Sequence, residues 1–187
     1  KKLNYDKKNF CLSCNSEDLY EIQKYRGSSN IFTNKRLLIC NDCRLVFIHP
    51  PPLRIDIENY NKNYFLNAHK YQIESFHIKI YNSALSKVRV NFVIENVPSI
   101  KKNHQVLEIG PGYGHFMKNW LEYFPNASYY IDETDEKVIN LLKTNKSLLF
   151  STKLNKKIID LVIISHVLEH TIDPAAFLLS KTKFLKK

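Results

Sequence analysis

The 187-residue chain predicts an α/β fold, a parallel sheet preceded by a small β segment and a helical linker. Three observations carry that prediction. From Lys101 onward, short apolar runs alternate with segments of helical periodicity, the pattern of strands joined by crossover helices. Three of the four glycines fall together in VLEIGPGYGHF, between one such run and one such segment. All four cysteines fall in two pairs near the N-terminus, Cys11-x-x-Cys14 and Cys40-x-x-Cys43.

Residues 1–53 read as a metal-binding head. A two-residue gap lets a tight turn aim two thiolates at one ion, and two such turns complete the tetrahedral sulfur shell that Zn²⁺ favours. Two disulfides are the competing reading, and they require an oxidising compartment. With Cys11, Cys14, Cys40 and Cys43 all ligating, the ion has no open position, so it would fold the segment rather than catalyse. Such binding supplies on the order of 10 kcal/mol, which a segment with so small a core needs. Residues 20–25 and 36–39 read as strands, with a turn at 27–30 between them. Pro50-Pro51-Pro52 ends the head, because proline cannot continue a ladder.

Residues 54–100 form the linker. Phe76, Ile80, Ala84, Val88 and Phe92 keep helical spacing, and Ile73, Tyr81 and Leu85 widen the stripe. One long helix or two is expected, closed before Pro98.

Residues 101–187 carry the alternating pattern: strand 105–109, helix 114–124, strand 127–131, helix 135–145, short strand 147–150, strand 158–164 and helix 174–185. Asp173-Pro174 is an N-cap followed by proline at the first helical position. Val106 to Ile109 is a buried strand, Gly110, Gly112 and Gly114 follow at alternate positions, and His115, Phe116, Trp120 and Leu121 form the inner face of a helix. Strand, glycine turn and helix bring a nucleotide-like ligand against bare backbone. The dinucleotide pattern G-x-G-x-x-G would need glycine where His115 stands, and no G-K-[ST] ending marks a phosphate-gripping loop. Glu108, just before the glycines, would repel a pyrophosphate and suits a ligand that is positively charged near that point.

With these residues in place, the chain resembles the class I S-adenosylmethionine-dependent methyltransferases. The matching stretches, in order, are Glu108-Ile109-Gly110-Pro111-Gly112-Tyr113-Gly114, YYIDETDEKV and IIDLVIISHVLEHTIDP. The cysteine pairs and NDCRLVFIHPPP resemble the zinc-binding head of a subset of these enzymes, some of which methylate sugars. The resemblance implies a partial Rossmann-like parallel sheet behind a zinc-ribbon-like β segment, with S-adenosylmethionine and Zn²⁺ as cofactors. It also implies roles. Glu108 would meet the ammonium of the methionine part, and Gly110, Gly112 and Gly114 would admit the cofactor to the backbone. Asp132 would accept from the ribose hydroxyls, with Glu133 the alternative in register. Ser165 would lie beside the sulfonium, and His166 and then His170 are the candidates for the methyl-transfer site, with packing as the competing account of both histidines. No carboxylate follows the third strand in SLLFSTKLNKK, which leaves Ser151 or Thr152 near the adenine. Tyr60 and Tyr64 either cover the cofactor or pack.

The resemblance further implies that the chain stops after the helix following the fourth strand of the sheet. IIDLVIIS would then be an apolar edge, where a second copy or a partner chain is expected to associate.

The charge balance is Lys+Arg 28 against Asp+Glu 18, a net +10, with a sequence pI near 9.4. Lysines are scattered and the five arginines form no cluster, so nucleic acid is the lesser expectation for a partner and a small-molecule methyl acceptor the greater. An RNA methyltransferase and a non-catalytic zinc-stabilised module are the rival readings. No apolar run is long enough to cross a bilayer and the N-terminus has no signal-like stretch, so no membrane partner and a cytoplasmic location are expected.

Overall fold

A computed structural model describes residues 10–27, 29–64, 74–97, 100, 103–144, 148–154 and 157–186. Ser28, Ile73 and Pro98, used above, lie outside them.

The head is a three-stranded antiparallel sheet, β1 (Leu19–Lys24), β2 (Arg36–Cys40) and β3 (Val46–His49), in that order. Two strands match the expected ones. The third, only four residues long, falls on the apolar run Leu45-Val46-Phe47-Ile48 just before the prolines, which no expected strand covers. The head's core is Cys11, Leu19, Leu38, Cys40 and Phe47. Five residues, two of them cysteines, make a small core, as a metal-dependent segment of this size requires.

Two helices follow the head among the described residues, α1 (Arg54–Lys62) and α2 (Phe76–Asn96). The Ser75 hydroxyl caps α2 by accepting from the Ile78 N–H. An apolar stripe is ordinarily the face that a helix buries. Here Phe76, Ile80, Ala84, Val88 and Phe92 are all exposed, and the buried side runs through Ser86 and Val90 instead, with Val93 and Ile94 packed on the core. The cause is geometric. Steps of four residues advance about 40° beyond a full turn, so that stripe winds around the helix and cannot stay on one neighbour.

The second sheet is parallel, with β4 (Gln105–Ile109), β5 (Ser128–Asp132), β6 (Leu148–Phe150) and β7 (Leu161–Ile164) in the order β6-β5-β4-β7. Helices α3 (His115–Tyr123) and α4 (Glu136–Leu142) cross over between its strands, and α5 (Pro174–Thr182) follows β7. One face buries Val106, Tyr129, Ile131 and Ile163 against Phe116, Trp120 and Val90. The other buries Leu107, Ile109 and Ile159 against Phe177 and Phe184. Asp135 and Asp173 cap α4 and α5, the latter accepting from the Ala176 N–H at 2.9 Å as the sequence predicts.

α5 is shorter than expected. It ends at Thr182, and residues 184–186 run out beside Ile159: the Ile159 N–H donates to the Phe184 carbonyl at 3.1 Å, and the Lys186 N–H to the Ile159 carbonyl at 2.9 Å. β7 is therefore the outermost of the four strands, but the edge just before it already carries a parallel partner. No described helix is long and apolar enough to cross a membrane.

Candidate functional site

The two cysteine turns are built alike. The Asn15 N–H donates to the Cys11 carbonyl and the Arg44 N–H to the Cys40 carbonyl, at 3.1 and 2.9 Å. Each turn ends on a left-handed residue directly after its second cysteine, Asn15 at φ 59° and Arg44 at φ 64°. Asparagine tolerates that conformation and arginine is uncommon in it. The four sulfurs lie within 4.8 Å of one another, with Cys11 to Cys43 at 3.4 Å and Cys14 to Cys40 at 3.6 Å, and none is in a disulfide. The Cys43 N–H, aided by the Asp42 N–H and opposed by burial, brings the Cys40 thiol down to about 7.

The glycine turn lies at the carboxyl end of β4. Gly110, Gly112 and Gly114 have φ of 64°, 55° and 75°. A Cβ on Gly110 would stand 2.6 Å from Val167 Cγ2, and one on Gly114 2.9 Å from Leu142 Cδ2. A Cβ on Gly112 would meet nothing within 4 Å, so the turn opens onto free space there. A side chain at Gly110 or Gly114 would run into packed neighbours, whereas one at Gly112 would point into open space.

Beneath this turn, Glu108 is buried on the β4 face that carries Val106. Its Oε2 accepts from the Tyr129 hydroxyl at 2.8 Å. Burial raises its carboxyl to about 7, the Tyr129 bond opposes the shift, and the Glu133 charge adds to it. Glu133 is itself raised, chiefly by burial, while its Oε1 accepts from the N–H groups of Thr134 and Asp135.

Asp132 goes elsewhere. It ends β5 on the face shared with Tyr130, and its Oδ2 is ion-paired with Lys181 of α5 at 2.5 Å. Strand alternation sends adjacent residues to opposite faces. The two candidate acids are thus separated, and Glu133, not Asp132, keeps electrostatic company with Glu108.

Ser165 follows β7 directly and is half-buried. His166 is left-handed at φ 55° and its side chain is 69% exposed. Arg89 of α2 reaches its Nε2 at 2.8 Å, and Glu169 lies 3.3 Å from its Nδ1. Because a guanidinium only donates, Nε2 is the acceptor and the proton sits on Nδ1, toward Glu169. His170 is half-buried, which lowers its pKa. Its ring meets Tyr64 edge-on at 4.9 Å, and its carbonyl accepts from Asn61 of α1. The aromatic chain continues through Tyr60 and Phe32 to Tyr25, tying the head to the loop after β7. Tyr60 and Tyr64 therefore take part in packing, the second of the two roles weighed for them.

Sequence reasoning missed Glu74. One carboxylate oxygen accepts from Asn82 at 2.6 Å, and the other lies 2.7 Å from His115 Nε2, at the start of α3. Glu74 thereby fixes the helix that follows the glycine turn. Forty-one residues separate the partners, and no local pattern signals the pair.

A family model described as "Methyltransferase domain" matches residues 81–187, more than half of the chain. The chain belongs to the methyltransferase-domain family. The parallel sheet, the glycine turn and the loop after β7 all fall within the matched methyltransferase domain. Among solved structures, this chain is similar to the plantazolicin methyltransferase BpumL in complex with SAH, at a TM-score of 0.51 and 15% identity over 70% of this chain and 55% of that one. It also matches coclaurine N-methyltransferase bound to N-methylheliamine and SAH, at a TM-score of 0.41 and 14% identity over 55% of this chain and 32% of that one. The likeness to the first is one of fold. The present chain spans about half of the first solved chain and about a third of the second. No curated protein matches the chain.

Proposed function

We propose that this methyltransferase domain binds S-adenosylmethionine over the glycine turn and serves methyl transfer to a small molecule, with a nucleotide-linked sugar as the substrate class. One observation carries the reading: the turn that leaves β4 has free space at Gly112, and the same strand holds a buried carboxyl at Glu108 with one oxygen bonded to Tyr129. That pairing fits a cationic ligand that needs backbone contact.

The cofactor supplies an electrophilic methyl carbon for in-line displacement. The chain's residues bind, orient and exclude water around it. Glu108 receives the ammonium. Glu133, with both backbone bonds on Oε1, turns Oε2 to the ribose hydroxyls, a role that the Lys181 pair withholds from Asp132. Ser165 and Val167 form the wall from the end of β7. His170 takes the proton from the acceptor, because burial keeps its ring neutral near pH 7. The Nε2 of His166 is already held by Arg89, which makes it the second choice.

The head binds one structural Zn²⁺. In a ZnS₄ shell with Zn–S near 2.3 Å the sulfurs stand about 3.8 Å apart, which the cysteine cluster approaches. Free thiols of this kind fit a reducing compartment such as the cytoplasm.

Isothermal titration of the zinc-loaded chain with S-adenosylmethionine tests the reading. Saturable 1:1 binding is expected, abolished by Gly112→Arg. A folded, zinc-replete chain that binds no cofactor would leave the module reading in its place. Only weak retention of RNA, lost at physiological salt, is expected beside it, and tight binding that survives there with a steep salt slope would favour an RNA substrate.

A further inference from the structure

The loop after β7 turns sharply at one residue. His166 is left-handed at φ 55°, a conformation that a residue with a side chain holds only where its surroundings enforce it. Two features follow from the turn. Val167 Cγ2 lies in the space that a Cβ on Gly110 would fill, so the loop packs against the glycine turn. Next comes the short 3₁₀ turn Leu168–His170, in which the His170 N–H donates to the Val167 carbonyl at 2.9 Å and the Thr171 N–H to the Leu168 carbonyl at 3.1 Å. The contacts that hold the turn are made by the His166 ring. Its Nε2 accepts from Arg89 Nη2 at 2.8 Å, and its Nδ1 faces Glu169 Oε1 at 3.3 Å. Arg89 reaches out from a fixed base, because the next residue of α2, Val90, is fully buried in the core.

We infer that Arg89 is a positioning residue for the proposed methyl-transfer site: by holding His166 it sets the turn that places Val167 on Gly110 and carries His170. The inference rests on the cofactor reading above for its functional meaning and on the contacts alone for its geometry. A guanidinium donates and cannot accept, so the bond requires the lone pair of Nε2. The ring proton is then confined to Nδ1, where the Glu169 carboxylate accepts it, and the ring is held from both sides. One bond to a ring that is 69% exposed would weigh little by itself. It weighs here because the backbone that it holds is strained. Losing the bond lets His166 relax out of the left-handed region, which moves Val167 and His170 together. The far flank of the loop is held from α1, where Asn61 donates to the His170 carbonyl at 3.2 Å and Tyr64 meets the His170 ring. Arg89 supplies the matching hold from α2, so the loop is clasped between the two linker helices.

Nuclear magnetic resonance of the full zinc-loaded chain, labelled with ¹⁵N, tests this, with the His166 ring signals assigned through His166→Gln. At a pH of about 9, where imidazoles are neutral, the His166 ring should carry its proton on Nδ1. Arg89→Met keeps the apolar stem and removes the donors. Amide exchange at His170 and Thr171 should then quicken about fivefold or more, and S-adenosylmethionine should bind about fivefold more weakly, with the melting transition retained. Arg89→Lys, which restores one donor, should recover part of both. His166→Gln sets an amide oxygen near the place of Nε2 and should stay closer to the wild type than His166→Ala. That pair carries the same comparison should Arg89→Met disturb folding. A wild-type His166 with its proton on Nε2 overturns the inference, because that nitrogen could not accept. So does a folded Arg89→Met chain in which either the exchange of these amides or the cofactor affinity is unchanged, and so do equal losses in the two His166 variants. A wild-type chain that binds no cofactor yet shows the Nδ1 proton and slow amides would refute the cofactor reading instead, so the two fail on different measurements.

Discussion

The Tyr129 hydroxyl donates to Glu108 at 2.8 Å within the buried face of the parallel sheet, and that single bond does not offset the carboxyl's loss of water. An acid whose folded pKa is raised keeps its proton in the native state while the unfolded chain gives it up. Between about 4.5 and 7, the unfolded state therefore binds fewer protons, and stability falls as pH rises through that window. The full difference is on the order of 3 kcal/mol. Glu108→Gln should remove this slope, so that thermal melts of the variant and the wild type diverge from pH 5 to pH 7.5. Parallel curves would show that Glu108 ionises as an ordinary exposed acid.

The same group sets the pH dependence of the proposed cofactor site. A ligand ammonium favours the carboxylate, so affinity for S-adenosylmethionine should rise with pH up to about 7 and level off above it. Titrations at pH 6.5 in buffers of different ionisation enthalpy should report proton release on binding. Glu108→Gln should bind more weakly at pH 8 and lose most of the pH dependence.

How much of this was legible in the sequence follows from how local each signal is. The cysteine turns and the glycine turn depend on residues within a few positions of each other, and both were readable. The assignment between Asp132 and Glu133 turned on one residue of strand register, which periodicity alone does not fix. In the structure β5 ends at Asp132, and Glu133 stands in the turn before the α4 cap Asp135, so the two acids take opposite faces. The exposed side of α2 was hidden for a different reason. Apolar residues surround much of that helix, and only the packing of Val90 and Ser83 decides which face is inward. The Glu74 to His115 contact spans the linker and leaves no trace in spacing.

Asp132 and Glu133 should separate cleanly on substitution. Glu133→Gln should weaken S-adenosylmethionine binding about tenfold or more, as loss of a charged acceptor for two hydroxyls predicts. Asp132→Asn should change binding little and stability by less than about 1 kcal/mol, because its Lys181 partner is partly exposed. Calorimetry on both variants checks this, and equal losses would return the ribose role to Asp132.

Removal of metal should act on the head alone. A chelator that strips zinc should unfold the 20–50 region, since five buried residues cannot hold three short strands without it. Cys11→Ser and Cys40→Ser, at the buried ligands, should abolish metal retention at least as fully as Cys14→Ser. Hydrogen exchange before and after chelation measures the change, and protection in β4 and β5 should persist.

The packed Gly110 and the open Gly112 predict opposite phenotypes from the same substitution. At Gly110, alanine brings its Cβ to 2.6 Å from Val167 and accepts φ 64°, so Gly110→Ala should cost several kcal/mol of stability, with altered placement of the loop after β7. At Gly112, alanine meets no protein atom within 4 Å and bears only the strain of φ 55°, about 1 kcal/mol. Its methyl group instead enters the space assigned to the cofactor. Gly112→Ala should therefore fold nearly normally and bind S-adenosylmethionine far more weakly, while Gly110→Ala should lose binding only in step with folding. Denaturant melts run beside cofactor titrations separate the two. A Gly112→Ala chain with unchanged affinity would mean that the ligand does not approach this turn.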